Sequence, residues 1–386
     1  MTPLPTNPAL PLPSAAALEL SRRLQARIHD EIRAAGGPIS FARYMEMALY
    51  APGLGYYSAG SRKLGAAGDF ITAPELSPLF GRALARQLAE LLAQGIPDII
   101  ELGAGSGALA AVLLEELAAL DCLPQRYLIL EVSADLRERQ KAHLLATVPQ
   151  YAGRVQWLEQ LPERCSALVI GNEVLDALPV HRIRVRQSGI EEIGVTAQGD
   201  GFAWTARPAP AALQQAAAIL KLPDGYETEI SLAAPALITS LAQRLTRGAL
   251  LFIDYGFPAH EFFHPQRNRG TLMCHYRHHA HDDPFLWPGL QDITVHVDFS
   301  TIAQGGETLD LLGYTGQAQF LINCGITELL SELPATDVAR YAPLAAQAQK
   351  LLSPAEMGEL FKVIALGRDV AMPLLGFRRG DRSHTL

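Results

Sequence analysis

The stretch Asp98-Ile-Ile-Glu101-Leu-Gly103-Ala-Gly105-Ser-Gly107 constrains the fold of this chain more than any other segment. Apolar residues run into Glu101, glycines follow at 103, 105 and 107, and a helical apolar pattern resumes at Leu109, Val112, Leu113 and Leu117. That is strand, glycine turn, helix. Glycine lets a backbone take positive φ and approach a ligand with no Cβ in the way. The helix that follows points its free N–H groups at the same place. About one helix later, Tyr127-Leu-Ile-Leu-Glu131 reads as a second strand closing on a carboxylate. In doubly wound sheets an acid there binds the ribose hydroxyls of an adenosine ligand. The chain therefore reads as an enzyme with an adenosine cofactor.

Two cofactors compete for the turn. Gly103-Ala-Gly105-Ser-Gly107-Ala108 satisfies the dinucleotide fingerprint if Ala108 replaces its third glycine. It equally satisfies the acid-x-Gly-x-Gly-x-Gly pattern that binds S-adenosylmethionine (SAM). Glu101 favours SAM, because a carboxylate beside the turn repels a pyrophosphate and attracts cationic sulfonium and ammonium groups. A tight turn with no ligand is the plain alternative.

The chain has 386 residues, 49% of them hydrophobic and 19% charged, enough for a sizeable core. Its net charge of -8 argues against a nucleic-acid partner. Cys122, Cys165, Cys274 and Cys324 form no C-x-x-C pair, which predicts neither a disulfide framework nor a zinc site. No apolar run approaches the roughly 18 residues of a membrane span. The Pro-rich start lacks the features of a signal or transit segment and reads as a short disordered leader, so the expected location is cytoplasmic.

Helical spacing covers 15–35, and Ser40 reads as the N-cap of a helix through Leu49. Another helix is expected from Pro78 to Gln94. Strands are expected at 98–102, 127–131, 154–158, 167–172 and 249–254, with helices after the first, second and fifth. Residues 180–206 alternate and predict an antiparallel excursion. Residues 256–300 are rich in His, Pro and aromatics and show no convincing helix, whereas Ser353 to Leu366 reads as a helix or its flank. The expected organisation is a leader (1–14), a helical N-terminal segment with a cofactor or substrate loop (15–94), and one α/β core (95–386) with insertions at about 180–230 and 256–300.

Three segments carry candidate chemistry. Asn172-Glu173-Val-Leu-Asp176 follows the fourth strand, where the methyl acceptor of such a fold lies. Its polar residues could simply cap and begin a helix. As catalytic residues, Glu173 and Asp176 would hold a cationic nucleophile, since a guanidinium pairs with carboxylates through its fork of donors. In Gly68-Asp-Phe-Ile-Thr72-Ala-Pro-Glu75-Leu-Ser77, Thr72 and Glu75 are candidates for the methionine end of the cofactor, with helix capping by Thr72 or Ser77 as the alternative. The third, His275-Tyr-Arg-His278-His279-Ala-His281-Asp282-Asp283, raises the question of a metal, but Pro284 and the adjacent aspartates favour a polar loop and no metal is assigned.

These segments, together with Tyr50-Ala-Pro-Gly-Leu-Gly-Tyr-Tyr57, Asp254-Tyr-Gly256 and Gly289-Leu-Gln-Asp-Ile-Thr-Val-His-Val-Asp-Phe299, resemble the MidA-like SAM-dependent methyltransferases. The likeness runs from about Ile39 to Leu366. Mitochondrial members of that family are the complex I assembly factor 7 proteins. The resemblance implies a class I methyltransferase fold, Rossmann-like with a mostly parallel seven-stranded sheet, and an enlarged acceptor region. It also implies methylation of protein arginine to symmetric dimethylarginine, with a respiratory-complex subunit as the protein substrate. On that basis Gly103, Gly105 and Glu131 are SAM contacts, and Glu173 and Asp176 sit in the acceptor-side motif; the reading of the residues themselves adds Glu101, Gly107, Thr72 and Glu75 to the cofactor side and Asn172 to the acceptor side. The absence of a transit sequence fits a bacterial cytoplasmic relative. A small-molecule methyltransferase and a SAM-binding assembly chaperone are the alternatives.

Overall fold

The computed structural model describes residues 10–59 and 72–386. Residues 68–71 of the polar loop and 1–9 of the expected leader lie outside them. The chain divides into two compact units.

One unit comprises Ile71–Asp176, Ala234–Phe262 and Val297–Leu386. Its sheet contains β1 (Asp98–Leu102), β2 (Arg126–Leu130), β3 (Val155–Leu158), β4 (Cys165–Asn172), β5 (Leu245–Phe257), β6 (Asp310–Gly316) and β7 (Phe361–Arg368). They lie in the order β6-β7-β5-β4-β1-β2-β3. Every neighbouring pair is parallel except those of β7, which runs against both β5 and β6. A two-residue strand, Val297–Asp298, extends the pairing at the end of β5. This is the mostly parallel Rossmann-like sheet the sequence implied. Strands of such a sheet are covered on both faces, which is why β1 and most of β4 are buried along their length. The chain leaves β1 to build β2 and β3 on one side and returns with β4 on the other. That reversal of strand order creates the crevice where ligands bind.

Helix Pro78–Leu92 starts at Ser77, whose hydroxyl accepts from the Leu79 amide. It packs against helix Ala108–Ala119 so closely that a Cβ on Gly81 would stand 2.7 Å from the Val112 side chain. The expected helix after β5 is only a single turn, Ala259–Phe262, and the longer helix Ala233–Arg244 precedes the strand instead. Ser353 to Leu366 differs from expectation too. Turns lead into β7, whose apolar run is buried on both faces. Such a run cannot be told from a helix by periodicity alone.

The other unit comprises Met1–Phe70, Ala177–Ala233 and Phe263–His296. Ser14 and Ser40 cap helices Ala15–Ala34 and Phe41–Tyr50, each accepting a backbone N–H. The expected antiparallel excursion forms a four-stranded sheet from His181–Arg186, Gly189–Gln198, Gly201–Pro208 and Glu227–Ile230. Phe41, Tyr44, Phe202, Trp204 and Phe285 form an aromatic core, with ring centroids about 5–6 Å apart. Residues 273–281 form a hairpin turned by Arg277 and His278, both at positive φ, and Asp292–Thr294 pairs with its first strand.

Candidate active site

The glycine turn takes the backbone the sequence asks for. Gly103, Gly105 and Gly107 have φ of 60°, 54° and 85°, values costly for any residue with a Cβ. The Gly103 amide donates to the Leu130 carbonyl, so the turn is pinned to the end of β2. Gly107 then serves as N-cap of helix Ala108–Ala119.

Two carboxylates flank this turn. Glu101, near the end of β1, is buried, and the Tyr127 hydroxyl donates to its Oε2 at 2.7 Å. Burial pushes the Glu101 carboxyl up to about 7; the Tyr127 hydrogen bond opposes the rise and the nearby Glu131 adds to it. Glu131, the first residue beyond β2, accepts from the Ser133 amide at 2.9 Å and from Gln140 Nε2 at 3.2 Å. Its carboxyl is also raised, mainly by burial, with those hydrogen bonds acting against the shift. Neighbouring Val132 exposes an apolar side chain.

The second group follows β4. Asn172 ends the strand, and its Nδ2 donates to Glu173 Oε1 at 3.0 Å. Asn172 Oδ1 is buried without a hydrogen-bond partner. Glu173 sits at φ 53°, a strained value for a residue with a side chain. Its amide donates to the Ile253 carbonyl at 2.9 Å, and the Ala73 amide reaches its Oε1 at 3.4 Å. Asp176 is buried and accepts from the Tyr255 hydroxyl at 2.5 Å. Asp254 Oδ2 accepts from the amides of Val174, Leu175 and Asp176 at 3.1, 2.9 and 3.3 Å. No regular helix follows Asn172, so these acids are not its first turn.

The short helix Ala73–Leu76 brings in the polar loop. Thr72 precedes it and makes no side-chain cap hydrogen bond, whereas Ser77 does cap the next helix. Glu75 faces Ser106 of the glycine turn, and its Oε2 is buried without a partner. Burial raises its carboxyl, with Ser106 and His143 pulling the other way. Glu75 and Glu173 thus join the glycine turn and the acceptor-side turn within one unit. The buried oxygens of Glu75 and Asn172 that lack partners, beside backbone held open by glycines, fit a ligand with a cationic amino-acid end and an adenosine end.

Sequence reasoning missed Tyr127, Gln140, Trp157 and Tyr255 as parts of this site. Tyr255 had one signal, its place beside Asp254 at a strand's carboxyl end. Among the described residues, no group of three or more His, Cys, Asp or Glu side chains is arranged to hold a metal. The His-rich segment is a hairpin and its neighbouring strand.

Sheet order and glycine turn define a doubly wound α/β protein with carboxylates at the strand ends that border its crevice. Residues 79–315 match the family of S-adenosyl-L-methionine-dependent methyltransferases known as Methyltransf_28, and the chain belongs to that family. A COG1565 superfamily member from Burkholderia thailandensis, solved bound to S-adenosyl-homocysteine, is 51% identical, with a TM-score of 0.95 over 98% of this chain and 100% of that one. The mitochondrial protein arginine methyltransferase NDUFAF7 of Danio rerio is 30% identical over 89% of each chain. That of Mus musculus is 32% identical over 86% of this chain and 81% of its own. The protein is a SAM-dependent methyltransferase and SAM is its cofactor. The cytoplasmic location expected from the leader is corrected by the same relatives, which are named as mitochondrial proteins. No helix among the described residues is long and apolar enough to cross a membrane.

Proposed function

We propose that this enzyme transfers the methyl group of SAM to an arginine side chain of a protein. The observation that carries the reading is the carboxylate pair Glu173 and Asp176 on a turn gripped from β5 by Asp254 and Tyr255. The names of the mitochondrial relatives support it, since they are protein arginine methyltransferases.

The glycine turn and Glu131 receive the adenosine half of the cofactor, with Glu131 accepting from ribose hydroxyls and Val132 offering an apolar contact to the base. Glu101, Glu75 and Thr72 surround the methionine half, where carboxylates attract its positive charge. Bound there, SAM supplies an electrophilic methyl group on a positively charged sulfur. Glu173 and Asp176 pair with the acceptor guanidinium and aim one nitrogen at that methyl, so catalysis is mostly a matter of position and charge. As the new C–N bond forms, the S–CH3 bond breaks and the guanidinium gives up one N–H proton, for which a carboxylate oxygen of the pair is the nearest acceptor. The Asn172 carbonyl oxygen supplies a further neutral acceptor for an N–H of the substrate.

A respiratory-complex subunit is the acceptor class we favour, and symmetric dimethylarginine the product. Mass spectrometry of arginine methylation in cells with and without the protein tests both. The expected result is loss of symmetric dimethylarginine at one or a few sites, restored by the wild-type gene but not by Glu173→Gln. An unchanged arginine methylome would overturn the arginine assignment.

A further inference from the structure

Gln140 lies on helix Ala134–Thr147, which follows Glu131, and is fully buried. Both amide hydrogens and one of the two oxygen lone pairs of its carboxamide are used within the protein. Trp157 Nε1 donates to Gln140 Oε1 at 2.8 Å, and Gln140 Nε2 donates to Gly105 O at 3.0 Å and to Glu131 Oε2 at 3.2 Å. An indole N–H can only donate, so Trp157 determines which way round the amide lies. The carboxamide oxygen must face the indole. Both amide hydrogens are then left for the carbonyl of the glycine turn and the carboxylate beyond β2. One side chain thus ties together the two parts of the site assigned to the adenosine half of the cofactor, although they lie on different strand ends.

We propose that Gln140, oriented by Trp157, is a positioning residue for SAM: it sets the Glu131 carboxylate at a fixed place relative to the glycine turn. The inference rests on the reading of Glu131 as the ribose acid. The geometry makes the dependence specific. Glu131 Oε1 accepts from Ser133 N and Oε2 from Gln140, the Val132 amide adds a third donor, and of the roughly four lone-pair sites of a carboxylate one is left for a ribose hydroxyl. Without the amide, Glu131 loses its tie to the turn and its rotamer is free to change.

The test is calorimetric titration of the full-length protein with S-adenosylhomocysteine. Gln140→Leu should weaken binding roughly ten-fold, the size expected when one hydrogen bond to a charged group is removed. Trp157→Phe, which leaves the amide free to flip, should lose less but in the same direction. Gln140→Glu places a second carboxyl against Glu131, and two such groups cannot both ionise cheaply. Its affinity should therefore recover as pH falls from 8 to 6 while the wild type does not follow. A purely structural role would produce no such pH profile. In a Glu131→Ala background, Gln140→Leu should cost little further, because the two act as one unit.

If Glu131→Ala weakens binding and Gln140→Leu leaves it within two-fold of wild type, this inference fails while the ribose reading stands. If Glu131→Ala itself has no effect, the ribose reading fails first. Should Gln140→Leu not fold, the pH profile of Gln140→Glu and the affinity of Trp157→Phe decide the matter. A flat profile with wild-type affinity in the latter overturns the proposal.

Discussion

Tyr255 donates its hydroxyl to Asp176 Oδ2 at 2.5 Å, and it does so from the residue next to Asp254, whose carboxylate holds the backbone of the same turn. Adjacent positions on β5 therefore fix both the side chain and the main chain of the acceptor-side turn. If Asp176 helps to orient a guanidinium, removing the hydroxyl should loosen aim without touching the cofactor. Tyr255→Phe is expected to lower the transfer rate about ten-fold, the worth of one hydrogen bond to a charged group. Affinity for S-adenosylhomocysteine should stay within two-fold. An equal loss in both would place Tyr255 in the cofactor site.

Asp254 is buried, and its carboxyl is raised well above the usual range by burial first and then by Asp176 and Glu173. Its acceptor role toward the Val174, Leu175 and Asp176 amides does not require a full charge, so Asn is a milder replacement than Ala. Asp254→Ala removes the acceptor of four backbone amides, those of Val174, Leu175 and Asp176 on Oδ2 and that of Tyr255 on Oδ1, and should cost roughly 3–5 kcal/mol. Asp254→Asn should cost about half as much. Urea unfolding curves of the two variants provide the check, and equal losses would contradict the capping account.

Glu101 gives the fold a pH dependence of defined sign. Its carboxyl titrates near 7 when folded and near the ordinary 4.5 when unfolded, so the folded state binds the proton more tightly. The stabilising contribution of the neutral form is complete below about pH 4.5 and is lost as pH rises through 7. Glu101→Gln keeps an acceptor for Tyr127 and removes the buried charge. In the absence of cofactor it should match wild type at pH 4 and exceed it by up to about 3 kcal/mol at pH 8. A stability difference that does not change with pH would contradict this assignment. The same variant should bind SAM more weakly, because a neutral amide no longer attracts its cationic end.

In the other unit, Glu192 is fully buried between His181, at 2.6 Å, and Arg207, at 2.7 Å. Burial works to raise its carboxyl, but hydrogen bonds from both partners prevail and hold it below the usual range. The contribution of the charged form is therefore present above the unfolded carboxylate range and is lost in acid. Glu192→Ala should destabilise by roughly 3 kcal/mol near neutrality, since the Arg207 guanidinium and the His181 ring both lose their buried partner. The penalty should shrink toward pH 3, and thermal unfolding at the two pH values is the measurement.

Much of this was legible in the sequence because it is local. The glycine turn, Glu101, Glu131 and the acids after β4 are each announced by a strand, a turn or a strand end within ten residues. The antiparallel excursion after residue 180 declared itself by alternation, as in His181 to Arg186. What stayed hidden depends on pairings across the fold. β7 is buried on both faces because β5 and β6 flank it, so its apolar run carries no period. Gln140 looks like one more polar residue of a charged helix until that helix is laid beside β3 and Trp157. Tyr255 finds Asp176 only because β5 pairs with β4, 79 residues away along the chain.

The most direct measurement of the central claim pairs two readings on Glu173→Gln: affinity for S-adenosylhomocysteine by calorimetry, and methyl transfer from labelled SAM to arginine in protein acceptors. A neutral amide cannot compensate a guanidinium, whereas the glycine turn and Glu131 remain as they were. The account predicts cofactor affinity within two-fold of wild type and transfer lowered by at least a hundred-fold. Transfer at the wild-type rate, or loss of cofactor binding along with it, would contradict the role assigned to the carboxylates after β4.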